Sequence, residues 1–351
     1  MTLIRAAEVA KRRLTLASRR LGTHNPVESI GGMIDRSFDL PMGDPRYGAN
    51  ALAPGSLPIE HSFSEMMGNS LRLDMEPLGP QASPHARQQE VGREMRRLVG
   101  QSFGTTALRW FDERSEPWRT SRIHGNARFG AWFGGAFDDS GVQEVKVYYE
   151  LGPNQLEELP PNLLHAARVA MASLPGLVPI FTSIACGRSA GAQRLYFFHR
   201  GELRLLELEP LLHRLGIGQQ LPNLLTAVGL VLGGRFVLPE GSVVLALRDT
   251  QRGMELKVEV LVAGVPDPPR QMHGLVNMLL SDRPQSQRAL RNWMQAMTPD
   301  DCASPGEISV MSFRVRPDLG ARVSMYLRPV GYDVRPTRSR APTDPYALRA
   351  G

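Results

Sequence analysis

The chain has 351 residues, of which 42% are hydrophobic and 22% are charged. That balance is typical of a globular protein and excludes a fibrous or largely disordered chain. The net charge of +6 permits an anionic ligand. No helix-turn-helix, zinc-finger or ribonucleoprotein signature accompanies the charge, so we expect no nucleic-acid partner.

The sequence shows no targeting or membrane segment. Charges interrupt the apolar positions of the first 22 residues throughout, unlike in a signal peptide. No later apolar run has the length needed to cross a bilayer. The two cysteines, Cys186 and Cys302, are too few for a disulfide framework and have no metal-ligand spacing. We therefore expect a cytoplasmic protein that does not bind membranes and keeps its thiols reduced.

The N-terminal region predicts a basic amphipathic helix over residues 2–21 and a long loop over 22–56, which is rich in Gly, Pro, Asn and Asp. Segment 57–77 then has two alternating runs around Gly68-Asn69, the pattern of a β-hairpin. Because side chains alternate between the faces of a strand, each run has one polar face. These faces carry Glu60, Ser62 and Ser64 on the first strand and Arg72, Asp74 and Glu76 on the second. A solvated surface strand has the same pattern, so this hairpin alone decides nothing.

A helix then follows the hairpin, and this order repeats along the chain. Residues 86–101 have apolar positions at helical spacing after the first hairpin. The further predicted strand pairs are 127–134 with 143–150, 177–186 with 191–199, 242–249 with 254–262, and 306–314 with 321–329. The predicted helices between them are 161–174, 203–215, 221–232, 270–281 and 285–297.

Ten antiparallel strands in five successive hairpins have no free edge if they close into a barrel with helices outside. We therefore predict an α+β fold, a ten-stranded antiparallel β-barrel of αββα repeats surrounded by helices. Since side chains fill barrels of roughly eight strands, a wider one should hold a polar cavity. Residues 1–332 are assigned to a single domain and 333–351 to a disordered basic tail.

The second strand of each hairpin carries cations and tyrosines at alternating positions. They are Arg72, Lys146 with Tyr148, Arg194 with Tyr196, Lys257, and Arg322 with Tyr326. Taken singly, each is more often a surface residue. Together inside a barrel, the cations need an anion to be stable there, and a diphosphate offers several oxygens that they can share. Tyrosine rings suit a second task, because they shield an allyl cation by cation–π attraction worth about 2 kcal/mol when desolvated.

These strands resemble those of aromatic prenyltransferases of the dimethylallyl tryptophan synthase type. The resemblance rests on Leu57-Pro-Ile-Glu60-His-Ser-Phe, Leu71-Arg72-Leu-Asp-Met-Glu76-Pro77, Lys146-Val-Tyr148, Arg194-Leu-Tyr196 and Arg322-Val-Ser-Met-Tyr326-Leu-Arg-Pro329, and it covers residues 55–330. It implies the ten-stranded prenyltransferase (PT) barrel. It also implies roles for individual residues: Glu60 binds the N–H of the acceptor, Arg72, Lys146, Arg194 and Lys257 bind diphosphate, and Tyr148, Tyr196 and Tyr326 form the cation shield.

The chain departs from the family pattern at two strands. The fourth reads Glu255-Leu-Lys257-Val-Glu259, where the family tends to have an amide or basic residue followed by tyrosine. The third lacks a lysine two residues after Arg194, at the position of Tyr196. These departures leave the shield incomplete unless Phe198 contributes to it.

The resemblance implies an enzyme that transfers a dimethylallyl or longer prenyl group from its diphosphate to an electron-rich, indole-like or carbazole-like ring. It implies no cofactor and no metal, with prenyl diphosphate as co-substrate and a small aromatic molecule as acceptor, in a monomer or homodimer. Two alternatives stay open. One is a non-catalytic barrel that binds an apolar or phosphorylated ligand, and the other is prenylation of a phenolic or peptide-borne acceptor.

Overall fold

Strands of alternating pattern fold here into consecutive antiparallel hairpins. The computed structural model describes residues 4–121, 123, 125–152 and 154–334. Its strands are β1 (Ile59–Ser64), β2 (Leu71–Met75), β3 (Ala131–Asp138), β4 (Gly141–Glu150), β5 (Leu177–Gly187), β6 (Gly191–His199), β7 (Leu203–Arg204), β8 (Val237–Leu238), β9 (Val243–Thr250), β10 (Gly253–Leu261), β11 (Gly306–Arg316) and β12 (Leu319–Pro329). The short strands β7 and β8 pair only with each other.

The other ten strands close into a barrel in the order β1-β12-β11-β10-β9-β6-β5-β4-β3-β2. The first and last strands close it, with Ser62 opposite Tyr326. Strands β6 and β9 pair with each other although helices separate them in the sequence, with Tyr196 opposite Ala246. Closure leaves no unpaired edge in the barrel. The predicted ten-stranded antiparallel barrel is therefore confirmed.

Eight helices of the described chain surround the barrel. They are α1 (Ala6–Leu21), α2 (Pro26–Ser37), α3 (Pro84–Arg119), α4 (Pro161–Ser173), α5 (Glu209–Arg214), α6 (Leu221–Val231), α7 (Met272–Leu279) and α8 (Pro284–Met297). They cover the outward rows of the strands, where apolar residues such as Leu245, Val258 and Phe313 are almost completely buried in the main hydrophobic core. Burial of this apolar surface is the main force that holds helices and barrel together.

The predicted loop over 22–56 is wrong where α2 lies. The side chain of Asn25 accepts a hydrogen bond from the backbone N–H of Val27 at 3.2 Å, and Pro26 occupies the first turn. Ile30, Met33 and Ile34 are buried on one face of the helix. A cap, a proline at the start and an apolar stripe are sufficient helix signals, although glycines interrupt the pattern. Residues 45–49 form a short 3-10 helix.

Helix α3 is longer than its predicted range of 86–101. Two helical parts meet at Gly104, where φ is 84° and ψ is −177°. That positive φ is readily adopted only by glycine. The second part was not predicted because few of its side chains are apolar and buried, Phe111 and Trp118 being the main ones.

Three smaller boundaries also differ from prediction. Strand β3 covers 131–138 rather than 127–134, and the first hairpin connects through a 3-10 turn at Glu65–Met67 before Gly68. The predicted helix 203–215 begins with β7 and a 3-10 turn, so that only Glu209–Arg214 is α-helical.

The end of the described chain remains attached to the barrel. Asp333 forms a bridge with Ser56, and the N–H of Val334 donates to the carbonyl of Gly55 at 3.0 Å. The rest of the predicted tail, 335–351, lies outside the described residues. Within the described residues, none of the helices has both the length and the apolarity required to cross a membrane.

Candidate active site

The inward rows of the barrel strands bring the predicted site residues together. Glu60, Arg72, Lys146, Arg194, Lys257, Tyr148, Tyr196 and Tyr326 all have 9% or less of their surface exposed. The Nζ of Lys146 lies 4.9 Å from the ring centroid of Tyr148. The Nζ of Lys257 lies 5.1 Å from the ring of Tyr196 and 5.9 Å from that of Tyr326. Residues from strands that are not neighbours thus meet inside the barrel.

One group of cations surrounds a buried carboxylate. Glu255 forms an ion pair with Arg194, and its Oε1 lies 3.4 Å from Arg314 Nε and 3.9 Å from Arg248 Nε. Burial alone would raise the pKa of Glu255, but the three arginines lower it to about 2. Glu255 is therefore ionised and balances part of the positive charge.

A second cation is paired on its own strand. Lys257 donates to Glu259, two residues further along β10. Burial lowers the pKa of Lys257 to about 8, although Glu259 acts in the opposite direction. The chain has Tyr196 rather than a lysine two residues after Arg194 on β6, and the ammonium group of Lys257 lies over the ring of that tyrosine. The cation beside Tyr196 therefore comes from β10.

Arg72 and Lys146 form the third group. Within the described part of the chain, neither makes an ion pair with a carboxylate, although Asp74 and Glu144 are near enough to influence both electrostatically. Burial lowers the pKa of Lys146. Together with Ser62, Asp74 and Glu144, these two cations line a narrow pocket that in this structure is too small to admit a water molecule. Buried cations that lack a carboxylate ion-pair partner are suited to bind an anion.

Aromatic side chains fill the barrel next to these cations. The members of this cluster are Phe129, Trp132, Tyr148, Phe181, Tyr196 and Phe198, with Ile180, Val244 and Ala246. The rings of Phe129 and Trp132 stack at 3.8 Å, and those of Tyr148 and Tyr196 lie 5.9 Å apart. Phe198 belongs to this cluster, as the sequence suggested. Rings on several sides make the interior both apolar and attractive to a cation.

Glu76 anchors one side of the aromatic cluster. Its Oε2 accepts hydrogen bonds from Trp132 Nε1 at 3.2 Å and from the N–H of Ala51 at 3.1 Å, and Arg87 Nη1 lies 2.9 Å from its Oε1. The predicted polar row of Arg72, Asp74 and Glu76 therefore differs along its length, because the carboxylate of Glu76 already binds Trp132, Ala51 and Arg87.

Glu60 lies on the inward row of β1, opposite Asp74 of β2. Burial is the main cause that raises its pKa to about 8, and the carboxylates of Asp74 and Glu259 add to the shift. Ser309 and Arg328 act in the opposite direction. At neutral pH the free protein thus holds this carboxyl mostly protonated, and an N–H donor or a cation beside it would favour its ionised form.

Sequence reasoning missed several residues of the site. Arg248 and Arg314 face inward on β9 and β11, the first strands of their hairpins, whereas the predicted cations all lie on second strands. Both alternate with buried apolar neighbours, for example Leu247 and Phe313, so the same period-2 pattern would have found them. Trp132 and Phe181 were also missed because they lie on first strands, β3 and β5, whereas the predicted cations and tyrosines lie on second strands.

The comparisons with known proteins are structural. No family model matches the chain, and no curated protein matches it. The prenyltransferase PriB, in a ternary complex with L-tryptophan and dimethylallyl thiolodiphosphate, matches with a TM-score of 0.68 and 18% identity over 96% of this chain and 99% of that chain. The 5-dimethylallyltryptophan synthase from Streptomyces coelicolor matches with a TM-score of 0.67 and 18% identity over 94% of this chain and 99% of that chain.

A third solved structure is the 6-dimethylallyltryptophan synthase from Micromonospora olivasterospora in complex with DMASPP and Trp. It matches with a TM-score of 0.68 and 17% identity over 95% of this chain and 100% of that chain. Identities this low establish likeness of fold. The chain has the PT-barrel fold of the dimethylallyl tryptophan synthase type, the fold that the sequence resemblance implied.

Proposed function

We propose that this chain is an aromatic prenyltransferase. It transfers a dimethylallyl or longer prenyl group from its diphosphate to a carbon of an indole-like or carbazole-like ring, by Friedel–Crafts-type alkylation without a metal ion. One observation carries the proposal: buried cations, tyrosine rings and a carboxyl group of raised pKa all line the inside of one closed barrel. Each has a distinct use in that reaction.

The cations bind the diphosphate and stabilise it as it leaves. Arg72 and Lys146 line the same narrow pocket and have no ion-pair partner among the described residues, so their donors are available to an anion for which the pocket widens. The C–O bond of the allyl diphosphate breaks as negative charge builds on its oxygen. Fixed cations in a site of low dielectric stabilise that charge. This supply of cations supports a metal-independent reaction, and Arg194 and Lys257 add to it.

The tyrosines stabilise the allyl cation. Tyr148, Tyr196 and Tyr326 are buried, and the rings of all three already lie within 6 Å of a lysine ammonium group. A ring that attracts an ammonium group attracts a carbocation by the same quadrupole. Phe198 and Trp132 complete the enclosure and keep water from capturing the cation.

Glu60 fixes the acceptor and stabilises the ring after attack. Its carboxylate accepts a hydrogen bond from the acceptor N–H, and the cationic ring that forms on alkylation strengthens this bond. The alkylated carbon then loses its proton to the released diphosphate, which restores the aromatic ring. A phenolic acceptor has no such N–H. The solved complexes of PriB and of the Micromonospora enzyme with tryptophan support an acceptor with an indole ring.

Product analysis tests the proposal. The protein is incubated with dimethylallyl diphosphate and a panel of indoles, carbazoles and naphthols in the presence of EDTA, and products are analysed by mass spectrometry. We expect a prenylated product from at least one acceptor with a ring N–H. The proposal fails if no acceptor is alkylated and calorimetry detects no diphosphate binding.

The alternatives have less support. A non-catalytic carrier has little use for a carboxyl group buried opposite cations, and Glu60 lies on the inward row rather than turned away. A phenolic or peptide-borne acceptor remains the alternative for the same chemistry, and the naphthols in the panel address its phenolic form. The single domain, the cytoplasmic location and a monomer or homodimer stay predictions.

A further inference from the structure

The phenol of Tyr148 has a specific partner inside the barrel. Its O–H donates to Asp74 Oδ1 at 3.2 Å. Asp74 lies on β2 and Tyr148 on β4, so the bond passes across the inner face of β3. Both side chains are buried, with 5% and 7% of their surface exposed. Burial, followed by the charge of Asp74, raises the pKa of Tyr148, which keeps the phenol protonated and able to donate.

Gly134 on β3 makes this contact possible. It pairs with Asp74 on one side and with Lys146 on the other. A Cβ at position 134 would lie 2.4 Å from Asp74 Oδ1 and 3.4 Å from both Lys146 Cε and Tyr148 Cε2. The φ of Gly134 is not in the left-handed region, so its backbone does not require glycine. The missing side chain is needed for space, because it lets the carboxylate approach the phenol.

The ring of Tyr148 already acts as a cation-binding surface. The Nζ of Lys146 lies 4.9 Å from its centroid. A phenol that donates to a carboxylate has a more electron-rich ring, since the hydrogen bond shifts electron density from the O–H bond toward the oxygen and the ring. A more negative ring face attracts a cation more strongly.

We propose that Asp74 is a positioning residue that orients the Tyr148 ring and strengthens its attraction for the allyl cation, with Gly134 providing the room for it. The inference rests on the proposed function, because it concerns the shield of that reaction. When prenyl diphosphate binds, the ammonium group of Lys146 pairs with the diphosphate and the ring face becomes available to the allyl cation.

Binding of a stable cation mimic tests this without turnover. The probe is 2-(dimethylamino)ethyl diphosphate, whose protonated tail resembles the allyl cation, and the neutral-tailed control is dimethylallyl thiolodiphosphate. Calorimetry is carried out on wild type, Asp74→Asn, Tyr148→Phe and the double variant. We expect Asp74→Asn to weaken the cationic probe about fivefold and the neutral compound less than about twofold, the range of one modulated cation–π contact.

The double variant separates the two ways in which Asp74 could act. If Asp74 acts through Tyr148, Asp74→Asn costs less than about twofold for the cationic probe once Tyr148 is Phe. An unchanged fivefold loss in the Phe background means that the carboxylate attracts the cation directly, and the inference is then wrong.

Glu144→Gln is the matched control, because Glu144 lines the same narrow pocket but forms no hydrogen bond with Tyr148. It should change the affinity for both compounds by the same factor.

A second variant guards against loss of folding. Gly134→Ala keeps every polar group but places a methyl group against Asp74, and should reproduce the selective loss for the cationic probe. An equal loss for both compounds contradicts the inference. If wild type binds neither compound, both the proposed function and the inference are wrong. If wild type binds both and the effects of Asp74→Asn and Tyr148→Phe simply add, only the inference fails.

Discussion

Strand β10 has two faces that are both buried and differ in chemistry. Its outward row, Leu256, Val258 and Val260, is fully buried against the helices. Its inward row, Glu255, Lys257 and Glu259, is 1%, 2% and 9% exposed. The outward row needs no explanation beyond the removal of apolar surface from water. The inward row does, because buried charges cost free energy unless they are paired.

The comparison separates buried charges that are stabilised by ion pairs from those that are not. Pairing accounts for part of the inward row, since Glu255 is held by arginines and Lys257 by Glu259. Pairing does not account for Glu60 on the inward row of β1, whose pKa is raised mainly by burial despite the opposing influence of Ser309 and Arg328. Replacing well-placed charges by apolar residues often stabilises a protein. We therefore expect changes on the inward row to affect binding and turnover, and changes on the outward row to affect folding.

The largest effect is expected at Glu60. Glu60→Gln keeps the shape of the side chain but cannot become an anion, so turnover should fall by about 10²–10⁴, the range for a positioned acid–base group. Binding of dimethylallyl thiolodiphosphate should change little, because the cations that bind it are unaltered. Steady-state kinetics and calorimetry measure the two effects. Full activity in the Gln variant, or prenylation only of phenols without an N–H, contradicts the role of Glu60.

The same variant should also change how stability depends on pH. Glu60 has a pKa of about 8 in the folded protein against an ordinary 4.5. Between these values the folded protein binds more protons than the unfolded chain, so the contribution of Glu60 to stability is full below pH 4.5 and is lost as the pH rises to about 8. A tenfold change in a proton-binding constant corresponds to about 1.4 kcal/mol. Glu60→Gln should therefore raise the free energy of unfolding by several kcal/mol at pH 8 and by little at pH 4.5.

The quantity to compare is the free energy of unfolding of the Gln variant minus that of wild type, because the contributions of other titratable groups cancel in this difference. Burial lowers the pKa of His61 to about 4, so its contribution to stability rises between pH 4 and 6.5, opposite in sign to that of Glu60. This contribution is the same in both proteins and cancels. Denaturant unfolding at several pH values gives the difference. A Gln variant that is no more stable than wild type at pH 8 means that folding does not raise the pKa of Glu60.

An outward residue should show the reverse behaviour. Leu245 of β9 is 1% exposed and lies between Phe197 and Val258 on the neighbouring strands. Leu245→Ala should lower the free energy of unfolding by about 2–5 kcal/mol, from lost transfer energy and the cavity left behind. Turnover per folded molecule should stay near that of wild type. A Leu245→Ala variant that is as stable as wild type but inactive would contradict the expectation that outward residues affect folding and inward residues affect activity.

Much of the fold was predictable because alternation and turn residues are local signals. The five hairpins and the closed barrel follow from them. Helix α2 was missed because Gly31 and Gly32 interrupt its apolar stripe and loop-forming residues surround it. Asn25-Pro26 nevertheless marks its start. The second half of α3 was missed because few of its side chains are apolar and buried. Propensity alone could not show that the packing of Phe111 and Trp118 continues the helix.

The site was predictable only as far as the face on which each residue lies. Period 2 put Lys146 and Tyr148 on one face, and the structure places them there. The pairing of Arg194 with Glu255 joins β6 and β10, which are separated by β9, and no local pattern specifies such a contact. The pKa of Glu60 is likewise a property of the enclosed barrel rather than of the sequence around it.

The smallest predicted effect compares two cations, one inside the barrel and one outside. Lys146→Ala should weaken binding of dimethylallyl thiolodiphosphate by about 10- to 150-fold, because a charge-assisted contact in a buried site is worth about 1.5–3 kcal/mol. Arg168→Ala is the control: its ion pair with Glu157 is exposed, with 58% and 61% of the side chains accessible. It should have no measurable effect, because solvent and salt screen exposed charges. Calorimetry at two salt concentrations decides it, since a buried contact keeps most of its strength at high salt. Equal, small losses at both positions would mean that the diphosphate does not bind inside the barrel.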